Sequence, residues 1–163
     1  MDLVSTFVDV SKLEEAVMGT KVRDAMTGRP RCVTPETSLQ QVAEVMEAED
    51  IGAVPVLEGE QLSGMVTDRD IVIRAIARGK NPGGMPVREI FSREVVTVGP
   101  DDDLSDAVQL MADYQVRRLP VVDADNRLVG IVSQADVALG AREKAVGEMV
   151  EEISRPPEGP RPV

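Results

Sequence analysis

Histidine and tryptophan are absent from these 163 residues, and there is one cysteine, Cys32, one tyrosine and two phenylalanines. Each absence closes a class of function. Without histidine the usual general base and the commonest metal ligand are missing, and no Ser-His-Asp or Cys-His arrangement can be assembled. A single cysteine excludes an internal disulfide and a thiolate metal cage within one chain. There is no P-loop and no GxGxxG, so an enzyme is not expected. Aromatic residues at 2% leave almost no rings on which bases could stack. The formal charge of -11, from 29 acidic and 18 basic side chains, repels phosphate backbones and anionic lipid. Neither nucleic acid nor a membrane is an expected partner. No apolar run reaches the roughly 18 residues of a membrane span. The acidic start "MDLVSTFVDVSKLEE" lacks the basic opening of a signal peptide, so a cytoplasmic location is expected.

What is present is a duplication. An offset of 65 places Val22 on Val87, Pro35 on Pro100, Leu39 on Leu104, Met46 on Met111 and Pro55-Val56 on Pro120-Val121. After the acid-rich turns "LEGEQL" and "VDADNRL" the offset becomes 66, and Leu62, Gly64, Val66 and Asp70 fall on Leu128, Gly130, Val132 and Asp136. Self-similarity at this period is the signature of a repeated supersecondary unit.

Each unit reads as β-α-β-β-α. A short β-branched run ("RCVTP", "VVTVGP") ends at a proline that cannot continue a ladder. Leu39, Val42, Ala43 and Met46, and then Leu104, Ala107, Val108 and Met111, have the i, i+3, i+4, i+7 spacing of one apolar helix stripe, with both methionines as core fillers. Two apolar runs around a tight turn predict a hairpin. A closing helix runs from Asp68 to about Arg78 and again from Gln134 to about Lys144.

The organisation expected is an N-terminal extension with a short helix (1–20) and a first unit (21–78). A flexible join, "GKNPGGMP" (79–86), leads to a second unit (87–145), then a short acidic helix and proline-rich tail (146–163). Ser11-x-x-Glu14 would cap the first helix and Gly19 would stop it, while "LVSTFVDV" before it fits strand or helix. Cys32, aligned with Thr97, reads as a small half-buried packing residue, and "PDDDLSDA" as helix N-terminal capping rather than a metal site. A unit of about 50 residues buries too little surface to be stable alone. Two units packed sheet to sheet would share one core with pseudo-two-fold symmetry, and equivalent clefts between them would receive equivalent residues.

Thr67-x-x-Asp70 and Ser133-x-x-Asp136 stand where the last strand of each unit enters its closing helix. As capping boxes they satisfy free backbone N–H groups and the helix dipole, contributing about 1–2 kcal/mol. The same atoms suit a nucleotide: a helix N-terminus and a hydroxyl receive phosphate, and a carboxylate accepts from the vicinal hydroxyls of a ribose. Adenine needs no aromatic partner if it lies between aliphatic side chains against strand backbone.

The pattern Gly-apolar-apolar-Ser/Thr-x-x-Asp closing each of two β-α-β-β-α units resembles the tandem CBS domain, or Bateman module. "DIGAVPVLEGEQLSGMVTDRDIVIRA" and "QVRRLPVVDADNRLVGIVSQADV" carry it, over about residues 21 to 140. The whole chain is similar to short stand-alone prokaryotic CBS-pair proteins, including the hypoxic-response type. The resemblance implies a mixed α/β (α+β) fold and an adenine nucleotide (AMP, ADP or ATP) as regulatory ligand, with no cofactor required. Asp70 and Asp136 would hold ribose hydroxyls, with Thr67 and Ser133 near phosphate. Ala53 and Arg118, two residues before the strand proline of each unit, would face the ligand, and Arg117 would assist Arg118 with phosphate. Arg69 is either a surface residue or a further phosphate ligand, and both arginines of the Arg117-Arg118 pair also fit solvated charges at a strand edge. Because Ala53 is neutral and Arg118 cationic, the two sites should not bind equally. The resemblance further implies a homodimer, formed through "IVIRAIARG" and "DVALGAREK", and a separate effector protein. The alternative is a ligand-independent protein-protein interaction module.

Overall fold

A computed structural model describes residues 9–154. The stretch 1–8 and the proline-rich tail lie outside the described residues. Helix α1 (Val10–Val17) and a single turn α2 (Val22–Ala25) precede a two-residue strand β1 (Thr27–Gly28). The first repeat then supplies α3 (Leu39–Glu49), the hairpin β2 (Ala53–Glu58) and β3 (Gln61–Thr67), and α4 (Asp68–Arg74), which tightens into a 3-10 turn to Arg78. The second supplies α5 (Leu104–Tyr114), the hairpin β4 (Arg118–Val122) and β5 (Leu128–Ser133), and α6 (Gln134–Ser154).

The repeat is visible in local chemistry as well as in order. Ser38 caps α3 by accepting from the Gln41 N–H at 3.2 Å, while Gln41 accepts from the Ser38 N–H. Here the repeat departs, because its equivalent Asp103, in the acidic stretch expected to cap α5, makes no side-chain cap and accepts from Lys21 instead. Helices α3 and α5 both stop at a left-handed residue, Asp50 and Gln115, each with φ 52°. Both hairpins are antiparallel and both slip register at the equivalent place, after Val56 and after Val121. The second turn is held by Asp123, whose carboxylate accepts from the N–H groups of Asp125 and Arg127.

Apolar stripes bury in two clusters rather than one, except that Ala43 of the first stripe is exposed and Val45 packs against the core instead. Leu39, Val54, Val56 and Val66 are fully buried in the first, and Leu104, Leu119, Val121 and Val132 in the second. Met46 and Met111 fill these cores. The clusters exchange their approach segments: Val17 and Val22, ahead of α3, lie in the second core, whereas Met85, Val87 and Phe91, ahead of α5, lie in the first. Strand β1 accordingly pairs with β5, Thr27 opposite Ile131, and Ser92 bridges Met65 of β3 in the equivalent position. The hairpin tips also meet, through a bridge between Gln61 and Arg127.

Several expectations are corrected. The runs before Pro35 and Pro100 make one parallel bridge each, Val33 to Val56 and Val98 to Val121, because the proline ends pairing after a single residue. The cap of α1 is Asp9 rather than Ser11; starting earlier puts Val10, Leu13 and Val17 on one face against the second core. The join at 79–86 is not free chain. It holds a 3-10 turn, Pro82–Gly84, buries Met85, and accepts the Leu39 N–H on the Met85 carbonyl at 2.9 Å. Gln134–Ser154 is one helix, not two, because Gly140 and Gly147 each cost about 1 kcal/mol relative to alanine without breaking it, and no proline intervenes. Cys32 is exposed rather than half-buried.

Candidate functional site: two clefts between the units

Hairpin geometry brings Thr67 to the mouth of one cleft and the Ser133-Asp136 pair to the mouth of another. Thr67 is the last residue of β3 and stands opposite Ala53, and Ser133 ends β5 opposite Arg118. Both pairs form the cap. The Thr67 N–H donates to Asp70 Oδ2 at 3.0 Å and the Asp70 N–H to Thr67 Oγ1 at 3.1 Å. In the second unit, the Ser133 N–H and Oγ–H both donate to Asp136 Oδ2 at 2.8 Å, and the Asp136 N–H returns to Ser133 Oγ at 3.2 Å.

The cap engages one carboxylate oxygen, and the other differs between the units. Asp70 Oδ1 lies 3.7 Å from Arg74 Nε, whose side chain donates to the Ile90 carbonyl at 2.7 Å. Asp136 Oδ1 has no such partner among the described residues. It is free to accept from a hydroxyl.

The cleft holding Ser133 and Asp136, the serine cleft, has a volume of about 270 Å³ and takes Thr27, Arg29, Arg31, Glu49, Ile51 and Ala53 from the other side. The threonine cleft, about 650 Å³, opposes Thr67 and Asp68 with Ser92, Glu94, Val96, Tyr114, Val116 and Arg117. The offset of 65 makes these walls equivalents: Thr27 and Ser92, Arg29 and Glu94, Arg31 and Val96, Glu49 and Tyr114, Ile51 and Val116. Each cleft thus joins the approach segment of one repeat to the hydroxyl-aspartate junction of the other.

Equivalent positions carry unlike chemistry. Three guanidinium groups, Arg29, Arg31 and Arg118, face two carboxylates in the serine cleft, and Arg31 pairs with Glu49 at 3.5 Å. The threonine cleft balances Arg117 and Arg118 against Asp68 and Glu94. In a chain of net charge -11 the serine cleft is a local excess of positive charge, suited to phosphate.

The structure therefore gathers Ser133, Asp136, Arg118 and Ala53 around one cleft and Thr67, Arg117, Arg118 and Ala53 around the other. Asp70 sits under Thr67 without lining it. Arg69 is exposed on the first turn of α4, with its N–H accepted by Asp68 Oδ1 at 2.8 Å, and it lines neither cleft. Helix geometry turns a residue two past the cap away from the partner on its third position. Sequence reasoning missed Arg29, Arg31, Glu49, Glu94 and Tyr114. Their signal was the same repeat, followed upstream of the leading runs and across the sheet boundary.

Two repeated units, each a helix, a hairpin and a capped closing helix that opens onto a cleft walled by the other, define a tandem binding module. The chain belongs to the CBS domain family, which matches it twice, over residues 22–76 and 87–141. The CBS domain-containing protein YhcV of Bacillus subtilis is 46% identical over 120 residues, 74% of this chain and 84% of YhcV. The crystal structure of hypoxic response protein I with two coordinated zinc ions shares 37% identity and superposes with a TM-score of 0.67, covering 74% of this chain and 98% of that one. That of CBSX2 in complex with AMP shares 30% identity, with a TM-score of 0.69 over 77% of this chain and 98% of that one. Among the described residues no group of three or more His, Cys, Asp or Glu side chains is placed to hold a metal ion, and no helix is long and apolar enough to cross a membrane.

Proposed function

We propose that the protein is a regulatory sensor, acting in the cytoplasm without catalysis, that binds an adenine nucleotide between its two CBS units and signals to a separate protein. The observation that carries this reading is the serine cleft. A carboxylate oxygen left free by its own cap shares a cleft with Arg118 of its own unit and with Arg29 and Arg31 of the other, so ribose and phosphate meet complementary groups in one place. The AMP complex of CBSX2 supports the same ligand class. Asp136 holds the ribose hydroxyls, Ser133 and the N-terminus of α6 approach the phosphate, and Arg118, Arg29 and Arg31 neutralise it. Thr67, Ala53 and Arg117 serve the threonine cleft, with Asp70 holding Thr67 from beneath, and the charge balance there favours a less anionic ligand. No resident cofactor is required.

Binding across the units changes their relative angle only as far as the ligand prefers one arrangement, and a partner reads that change. The exposed apolar residues Ile73 on α4 and Leu139 on α6 are repeat equivalents, each about half exposed. They suit a homodimer built through these two helices. The same faces favour the second reading, a ligand-independent interaction module.

Thermal unfolding of nucleotide-free protein against AMP, ADP, ATP, NAD, S-adenosylmethionine and cyclic di-AMP separates the two. A ligand at a hundred times its Kd adds about 2.7 kcal/mol, a shift of about 5–10 °C for a chain this size. A shift with one adenine compound identifies the signal. No shift with any of them sinks the sensor and leaves the interaction module.

A further inference from the structure

Arg118 lines both clefts, and so does Ala53. The two hold the same position in their units, opposite Ser133 and Thr67. The wall between the clefts therefore carries one guanidinium where a symmetric pair would carry two or none. Arg118 is half-buried, and no carboxylate lies within ion-pair distance of it among the described residues. Its donors are available to whatever occupies either side.

We infer that the two clefts compete for the Arg118 guanidinium, so that a phosphate-bearing ligand in one weakens binding of a second in the other. The inference rests on the adenine-nucleotide reading above. A guanidinium fork engages one phosphate bidentately, and two phosphates drawn to the same wall repel each other. The serine cleft wins the contest, because Arg29 and Arg31 add to it while Glu94 and Val96 stand in their places opposite. With Arg118 turned to the serine cleft, the threonine cleft keeps only the exposed Arg117 against Asp68 and Glu94. Losing a charge-assisted hydrogen bond weakens binding about tenfold or more.

Inequivalent but independent sites would give a similar first isotherm, so the test must empty one cleft and watch the other. Calorimetric titration of the nucleotide-free full chain with AMP, and separately with ATP, reads both. The chain is expected to bind one tight equivalent and a second about tenfold weaker. Asp136→Ala should lose the tight equivalent while the threonine cleft binds about tenfold more tightly than in the unaltered chain, Arg118 having been released to it. Ala53→Arg, which supplies the missing guanidinium, should bind two tight equivalents. Two equal equivalents in the unaltered chain overturn the competition and leave nucleotide binding standing. So does a threonine-cleft affinity that Asp136→Ala leaves unchanged, or a second site that stays weak in Ala53→Arg. Binding of neither nucleotide overturns the sensor and the competition together.

Discussion

Gly64 in β3 lies directly beneath the carbonyl of Ser92, so close that a Cβ on Gly64 would overlap that oxygen and the Phe91 ring. Its repeat equivalent, Gly130 in β5, holds the same relation to the other approach segment, where a Cβ would come 2.7 Å from Met26 Sδ and 2.8 Å from the Thr27 carbonyl oxygen. These two close approaches bring each approach segment onto the opposite hairpin.

Gly64→Ala should therefore destabilise the fold by about 1–3 kcal/mol or more, since the obstacle is backbone and must move. The Met65–Ser92 bridge, 2.9 Å in both directions, should open with it. Gly84→Ala, where a Cβ meets nothing within 4 Å, is the control and should be near neutral. Chemical denaturation of the two variants checks the contrast.

Removing the two capping aspartates should cost similar stability and unequal function. Asp70→Ala and Asp136→Ala each lose a cap worth about 1 kcal/mol, a fall in Tm of about 2–4 °C. Asp136→Ala should empty the serine cleft and leave a single equivalent, in the threonine cleft. Asp70→Ala should keep the tight equivalent of the serine cleft, because Asp70 is half-engaged with Arg74 and lines neither cleft. Equal loss of binding in both variants would sink the assignment of the tight site to the serine cleft.

Arg29→Glu copies into the serine cleft the residue that the threonine cleft carries at the same place. AMP and ATP should then bind about tenfold or more weakly, while adenosine, which has no phosphate, should bind as before. Parallel titrations with the three ligands measure this. A matching loss for adenosine would show that Arg29 shapes the cleft rather than meeting phosphate.

Lys21 ties the start of α2 to the N-cap of α5 by donating from Nζ to Asp103 at 2.7 Å. That hydrogen bond first, and the charge of Asp103 second, raise the lysine pKa above its ordinary 10.5. A pKa raised on folding gives stability that is fully present below the ordinary value and lost as pH rises through the folded one. Tm should thus fall more steeply above pH 10.5 in the unaltered chain than in Lys21→Met. Both side chains are about half exposed, so the difference should be small and should shrink in salt.

Leu39→Ala and Leu104→Ala, fully buried equivalents in separate clusters, should each cost about 2–5 kcal/mol. If the clusters fold as one cooperative unit, either variant should lower a single unfolding transition by a similar amount. Two resolved transitions, one moved by each variant, would show that the cores melt separately.

Much of this was legible along the chain because it depends on neighbours in sequence. Helix stripes repeat every three or four residues, hairpins announce themselves by alternation around acidic turns, and a hydroxyl three residues before an aspartate writes its own cap. The errors lie where a segment's partner is distant. Nothing local to Thr27 says that it pairs with Ile131, and nothing local to Met85 says that it is buried under α3. Of the two readings open for Arg69 the structure has the surface one, since proximity to Thr67 in sequence says nothing about which side of α4 a residue occupies.

The sequence by itself determined the two units, their pseudo-symmetry, the junctions that cap α4 and α6, and the contrast between Ala53 and Arg118. These follow from short-range hydrogen bonding and from the periodicity of apolar side chains, both of which a single chain records in order. Tertiary structure alone decided which walls meet. Crossing the approach segments to the opposite hairpins, a matter of close packing over Gly64 and Gly130, put Arg29 and Arg31 across from Asp136 and set Arg118 on the wall between two clefts. Charge sums over a sequence cannot show this, because electrostatic complementarity depends on distances of a few ångströms between residues a hundred positions apart.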